Sequence, residues 1–177
     1  MTNFVQQAAL FERNVWRYFD GLTNEELHWE PVPEMWGLRK KEELRTPLPS
    51  DTSDGAWWLD GVRPRPDPEP LATIGWRIAH LVLGSWNWLN SLKELGPRPE
   101  PGLTGDVGSL LPLWQSTFDE FTSAVKAFSD EDLARDVQAG TSRIPRAWIV
   151  SHMTLEITAH GAEVGTMRHL YRATPRT

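Results

Sequence analysis

Four ionisable residues recur at turn-like spacing towards the end of the chain: His152, Glu156, His160 and Glu163. On a helix, at about 100° per residue, they fall within an arc of roughly 80°. Their neighbours Trp148, Ile149, Val150, Met153, Leu155, Ile157, Val164 and Met167 are apolar, so the arc is a polar stripe on a hydrophobic helix. Residues four apart rise about 6 Å and can bring two side chains onto one ion, whereas residues eight apart rise about 12 Å and cannot. A divalent ion therefore takes one adjacent pair, either His152 with Glu156 or Glu156 with His160. Imidazole plus carboxylate suits zinc first, with nickel, iron and manganese also accommodated. The plain alternative is a solvated face of spaced charges, and spacing does not decide between the two. Glu-x-x-x-His also differs from His-Glu-x-x-His, which disfavours a zincin-type peptidase.

A third ligand must come from elsewhere, and His80 is the natural candidate. It lies in Trp76-Arg77-Ile78-Ala79-His80-Leu81-Val82, where an unpaired imidazole among apolar neighbours is costly. Arg77, His80, Gly84, Asn87 and Ser91 share an arc of about 80°, a second polar stripe, on which Gly84 leaves room for a ligand. Arg77 and Asn87 here, with Glu163 and Arg168 on the last helix, are candidate substrate contacts. For Glu163 and Arg168 an ion pair or a packing role is the plain alternative. His28 and His169 carry no such pattern, and a hydrogen-bonded role suffices for them.

These stripes need long helices to carry them. An amphipathic segment from Asn3 to Phe19 closes at Asp20-Gly21, and Thr23 to Leu27 has the pattern of a capped turn. Thr73 is a good N-cap for a helix running to Gly96-Pro97, a third helix spans about Val107 to Phe128, and the fourth starts near Pro145 and reaches about Tyr171. Ser129 caps a short turn between the last two. Between the first two, residues 34–70 form a Pro- and Trp-rich insert that forbids a long helix, with Arg63 to Pro70 expected as extended polyproline. With no evident strand pair, this predicts an all-α, antiparallel-type four-helix bundle.

The 177 residues, 40% hydrophobic, suit one domain over 1–177. A net charge of -6 with scattered Lys and Arg argues against nucleic acid and anionic membrane as partners. No signal peptide or bilayer-length apolar run is apparent, so a cytoplasmic protein is expected. The chain has no Cys, which excludes a thiolate nucleophile or ligand of its own. Trp57, Trp58 and Trp88 exceed what a small bundle easily hides, which makes a homodimer one expectation and an inward-packed insert the other.

Three segments together resemble the DinB-like superfamily: Gly21-Leu-Thr-Asn-Glu-Glu-Leu-His-Trp-Glu-Pro31, Thr73-Ile-Gly-Trp-Arg-Ile-Ala-His80-Leu, and His160-Gly-Ala-Glu-Val-Gly-Thr-Met-Arg168-His-Leu-Tyr. The resemblance covers most of the chain. It implies an up-down-down-up four-helix bundle and one divalent metal held by three side chains, His80, Glu156 and His160. Many such proteins carry His four residues before the last ligand, where this chain has Glu156. A His, Glu, His set resembles that of the bundle domain of mycothiol-dependent maleylpyruvate isomerase. The resemblance thus implies a thiol-dependent transferase in which mycothiol or bacillithiol meets an electrophilic substrate at the metal, with metal-dependent hydrolysis and a non-enzymatic, metal-stabilised binding module as the rivals. His152, one turn from the ligands and of the residue type whose unperturbed titration is matched to neutral pH, becomes a candidate proton carrier. The family's name refers to a damage-inducible gene and does not imply DNA binding.

Overall fold

A computed structural model describes residues 15–46, 55–96 and 98–175. The segment expected to be helical from Asn3 lies mostly outside these residues, and its described end is a 3-10 turn over Trp16–Tyr18. The short helix α1, Asn24–His28, begins in a reciprocal cap: Thr23 Oγ1 accepts from the Glu26 amide at 3.2 Å, and Glu26 Oε2 accepts from the Thr23 amide at 3.0 Å. That arrangement satisfies two of the amides a helix start leaves over.

The long helices follow the apolar periodicity. Helix α2, Ile74–Leu92, starts at Thr73, whose hydroxyl accepts from the Trp76 amide. Helix α3 covers Val107–Ala127 and admits Pro112 in its second turn. A second reciprocal cap, Ser129 with Asp132, opens α4, Asp130–Ala134. Helix α5, Arg146–Ala173, follows Pro145 directly. Helix α2 packs against both α3 and α5 and is therefore apolar on most sides. Its Ile74, Ile78, Leu81, Val82 and Leu89 meet Trp114, Phe118, Phe121 and Val125 of α3 and Ile149, Met153, Ile157 and Val164 of α5, all buried in one core. Among the described residues, no helix is long and apolar enough to cross a membrane.

The expectation of no strand pair is corrected by two short antiparallel pairs. Strands β1, Leu38–Lys40, and β2, Trp57–Leu59, pair with Leu38 opposite Leu59. Strands β3, Asp136–Ala139, and β4, Ser142–Pro145, pair with Val137 opposite Ile144. The second pair has a local cause. Only Gly140 and Thr141 separate the strands, and Gly140 sits at φ 58°, the left-handed conformation that a two-residue hairpin with Gly in first place requires. Strands this short carry too few alternating positions to register as a period of two.

The insert is tied to the helical body through Asp60. Its buried carboxylate accepts from the amides of Gly37 at 2.9 Å and Arg45 at 2.8 Å, and from the Arg39 guanidinium, while its carbonyl accepts from Trp76 Nε1 at 2.7 Å. Trp36 adds a parallel bridge to Ala72, and the Trp57 ring stacks on His28. Trp57 also lies so close over Gly105 that a β-carbon there would stand 2.2 Å from the ring. Thus Trp57 and Trp58 are half-buried by an insert that packs inward. Arg63 to Pro70 departs from the extended expectation, because the chain bends at 63–64 and again at 67–68.

Candidate metal centre

His80, in the second turn of α2, and Glu156 and His160, one turn apart on α5, face one another across the α2–α5 contact. One ligand atom from each lies within 4.8 Å of the other two. His80 Nε2 is 3.4 Å from Glu156 Oε2, and His160 Nε2 is 3.2 Å from the same oxygen. Donors about 2.1 Å from a common ion stand about 3.0 to 3.4 Å apart at octahedral or tetrahedral angles, so each imidazole nitrogen stands at ligand spacing from the Glu156 oxygen, and the three together could hold a small divalent cation.

Each ring is oriented from behind. His160 Nδ1 lies 2.6 Å from Glu163 Oε2, which accepts in turn from Arg77 Nε at 2.8 Å. A carboxylate on the far nitrogen fixes the tautomer that leaves Nε2 free to ligate. The His80 ring stacks on Trp76, four residues earlier, with centroids 4.8 Å apart and planes 12° from parallel. The hydrogen bond to the Asp60 carbonyl holds that indole. Without a cation the same geometry favours charge separation. Hydrogen bonds from His160 and then His80 hold the Glu156 carboxyl well below the usual carboxylate range, against the effect of its partial burial. Burial opposes a charged His160, but hydrogen bonds to Glu156 and Glu163 outweigh it and raise the imidazole to about 8. Glu163 is lowered, first by its hydrogen bond from His160 and further by Arg77.

A family model described as the DinB superfamily matches residues 7–164, a span that contains all three of these side chains. The chain belongs to the DinB superfamily. Searches of curated proteins and of solved structures returned no match. The His/Glu/His group of this DinB-superfamily chain is thus a possible metal triad in a family whose members often bind metals.

The triad opens on two clefts. The smaller, about 250 Å³, runs past His80, Gly84, Asn87, Trp88 and His152 and is edged by Arg63 and Arg65 of the insert. The larger, about 430 Å³, has Trp36, Leu71, Trp76 and Leu155 as apolar walls and reaches His160 and Glu163. Glu156 and Arg65 line both. A β-carbon on Gly84 would meet only Met153, at 3.9 Å, so the glycine leaves the smaller cleft open beside His80.

The remaining residues singled out in this DinB-superfamily sequence fall in different places. His152 lies in the smaller cleft with Nε2 3.8 Å from Glu156 Oε1, stacked on Trp148 and edge-on to Trp88. Asn87 is exposed in the same cleft. Arg77 and Glu163 line the larger cleft and stand behind His160. Arg168 lines neither cleft: its guanidinium donates to both Glu26 oxygens at 2.9 and 3.0 Å and to the carbonyls of Tyr18, Asp20 and Gly21. His28 Nε2 meets the Gly105 carbonyl at 2.7 Å, and His169 lies edge-on to Tyr18. Trp76, Trp148, Arg63 and Arg65 were not singled out in the sequence. The two tryptophans did leave a signal, since each stands four residues before the histidine it stacks on.

Proposed function

We propose that this DinB-superfamily protein is a metal-dependent enzyme of the thiol S-transferase type, built on an up-down-down-up four-helix bundle. His80, Glu156 and His160 hold one divalent ion, zinc by preference. The observation that carries the reading is the convergence of three nitrogen and oxygen donors within 4.8 Å, where two separate clefts meet. Three protein ligands leave coordination positions open for chemistry. When bound, the ion lowers the pKa of a thiol or water that reaches it and so supplies a nucleophile at neutral pH.

The chain's own residues do the rest. Glu163, backed by Arg77, keeps His160 Nε2 aimed at the ion, and Trp76 sets the His80 ring. His152 stands beside the unshared oxygen of Glu156, where its Nε2 can take the proton that a bound nucleophile gives up. The absence of Cys means that any sulfur nucleophile comes from outside, and the family resemblance suggests mycothiol or bacillithiol. Two clefts on one centre suit two reactants, the thiol and an electrophile.

The test is metal analysis of protein purified without chelator, followed by assay on an electrophile panel with and without added thiol. One metal per chain and thiol-dependent turnover, both lost in His160→Ala and Glu156→Ala, are expected. Metal well below one per chain that cannot be reloaded refutes the centre. Turnover of esters or amides without thiol moves the reading to a metal-dependent hydrolase. A large fall in melting temperature on chelation, with no turnover at all, reduces it to a metal-stabilised binding module.

A further inference from the structure

The lining of the larger cleft divides into a buried part and an exposed one. Trp36, Ala72, Trp76 and Arg77 are buried, whereas Leu71 and Leu155 are 55% and 65% exposed. These two leucines are the most exposed large hydrophobic side chains among the described residues. Single apolar residues on a surface need no explanation. Here, however, the two extreme cases border one cavity from separate elements, Leu71 just ahead of α2 and Leu155 on α5. Ala159 follows Leu155 by one helical turn in the same lining, and its short side chain leaves the space between Leu155 and Glu163 open. An apolar molecule in this cleft would cover side chains that otherwise face water.

The charged side chains of this cleft are matched within it. Arg77 lies 2.8 Å from Glu163, Arg65 3.1 Å from Glu69 and His160 3.2 Å from Glu156, and all six belong to the lining. A charged ligand would give up water here and meet no counter-charge without parting one of these pairs, whereas a neutral apolar ligand has no such cost. The volume of about 430 Å³ is that of a small-molecule site and, at about 30 Å³ per water-sized unit, holds up to roughly fourteen non-hydrogen atoms. His152, which takes the proton of the bound thiol in the reading above, lines the smaller cleft and not this one. The thiol therefore reaches the ion from the His152 side, and the larger cleft is left to the electrophile.

We propose that the larger cleft binds the electrophile, and that this reactant has a neutral, apolar body no larger than two fused rings, seated between Leu71 and Leu155 with its reactive end towards Glu156 and His160. That the electrophile and not the thiol lies here rests on the enzyme reading above. The preference of the cleft for a neutral apolar molecule does not.

The experiment is calorimetric titration of the full chain, as purified, with three naphthalene probes of similar size: 2-naphthalenemethanol, 2-naphthalenesulfonate and 2-naphthylmethylammonium, which are neutral, anionic and cationic. The alcohol is expected to bind at least about tenfold tighter than either ion. It should bind at least about tenfold more weakly to Ala159→Phe, which fills the cleft, and to the Leu71→Ala/Leu155→Ala double variant, which strips its rim. All three altered side chains are exposed, so both variants should fold, and a melting curve checks that they do. A charged probe that binds as tightly as the alcohol, or an alcohol affinity that either variant leaves unchanged, overturns the assignment. So does a change of oligomeric state in the double variant with the affinity intact, which would give the two leucines to a second copy of the chain. Metal content and thiol-dependent turnover are measured on the same preparation. If either is missing while the alcohol keeps its preference and its sensitivity to both variants, the enzyme reading falls and the neutral apolar site stands. If both are present and the three probes bind alike, the site falls and the enzyme reading stands.

Discussion

Replacing Glu163 by Gln tests the logic of the centre more sharply than deleting a ligand, because it alters two opposing quantities at once. The carboxylate lies 2.6 Å from His160 Nδ1, and losing such a partner behind a ligand typically weakens metal binding about 10- to 100-fold, or about 1.4 to 2.8 kcal/mol. The same contact helps hold His160 up at about 8, so at pH 7 only about a tenth of the metal-free protein has a neutral His160 ready to ligate. In the unaltered protein, apparent affinity should therefore rise about tenfold from pH 7 to pH 9. Glu163→Gln lets His160 fall back towards its ordinary value near 6.5, which relieves proton competition at pH 7 and offsets much of the intrinsic loss. The variant should be about 1- to 12-fold weaker at pH 7, where relief of proton competition returns up to about eightfold, and about 10- to 100-fold weaker at pH 9, on a flattened profile. Competition with a chelator of known affinity, run at both pH values, measures this. An affinity loss of the same size at both refutes the reasoning, because Glu163 would then aim His160 without raising it.

The stability of metal-free protein should show the same groups from the other side. His160 is raised by folding, so its contribution is complete below about 6.5 and lost as pH rises through about 8. Glu156 is lowered, so its contribution is complete above about 4.5 and lost as pH falls; thermal melts should peak between these limits, a maximum on the alkaline side contradicts the His160 contribution, and one below about 4.5 contradicts that of Glu156. Arg168→Ala strands a buried Glu26 carboxylate, since both side chains are 4% exposed, and should cost about 3 to 5 kcal/mol in urea unfolding. The folded fraction of that variant should still bind metal, because Arg168 lines neither cleft. Gly105→Ala places a methyl 2.2 Å from the Trp57 ring and should cost about 1 to 3 kcal/mol; a neutral effect shows that the insert is not held there.

Much of this architecture was legible because helices announce themselves locally. Thr23, Thr73 and Ser129 each sit where a side-chain oxygen meets a leftover amide, a contact spanning three residues. The triad was partly legible for the same reason, since Glu156 and His160 are one turn apart. His80 could be suspected from its apolar setting and was picked out by the family resemblance, because nothing in the helical periodicity encodes which stripe α5 will face. Glu163 and Arg77 read equally well as substrate contacts, and their place behind His160 depends on a pairing 86 residues apart in sequence. The hairpin at Gly140 was readable from its two-residue turn but is too short to stand out among helices. Arg63 and Arg65 were unreadable as cleft residues, since a Pro-rich segment gives no periodicity by which to orient its side chains.

Asp60 limits which parts of this fold can be exchanged. Its side chain gathers the insert, while its carbonyl holds the indole that lies flat on His80. A loop transplanted onto a relative without the Asp60–Trp76 connection would bring its arginines but leave the receiving histidine free to turn. Loop and centre are mechanically one unit, and shuffling experiments that cut between residues 60 and 76 should yield chimaeras that fold yet hold their ion poorly.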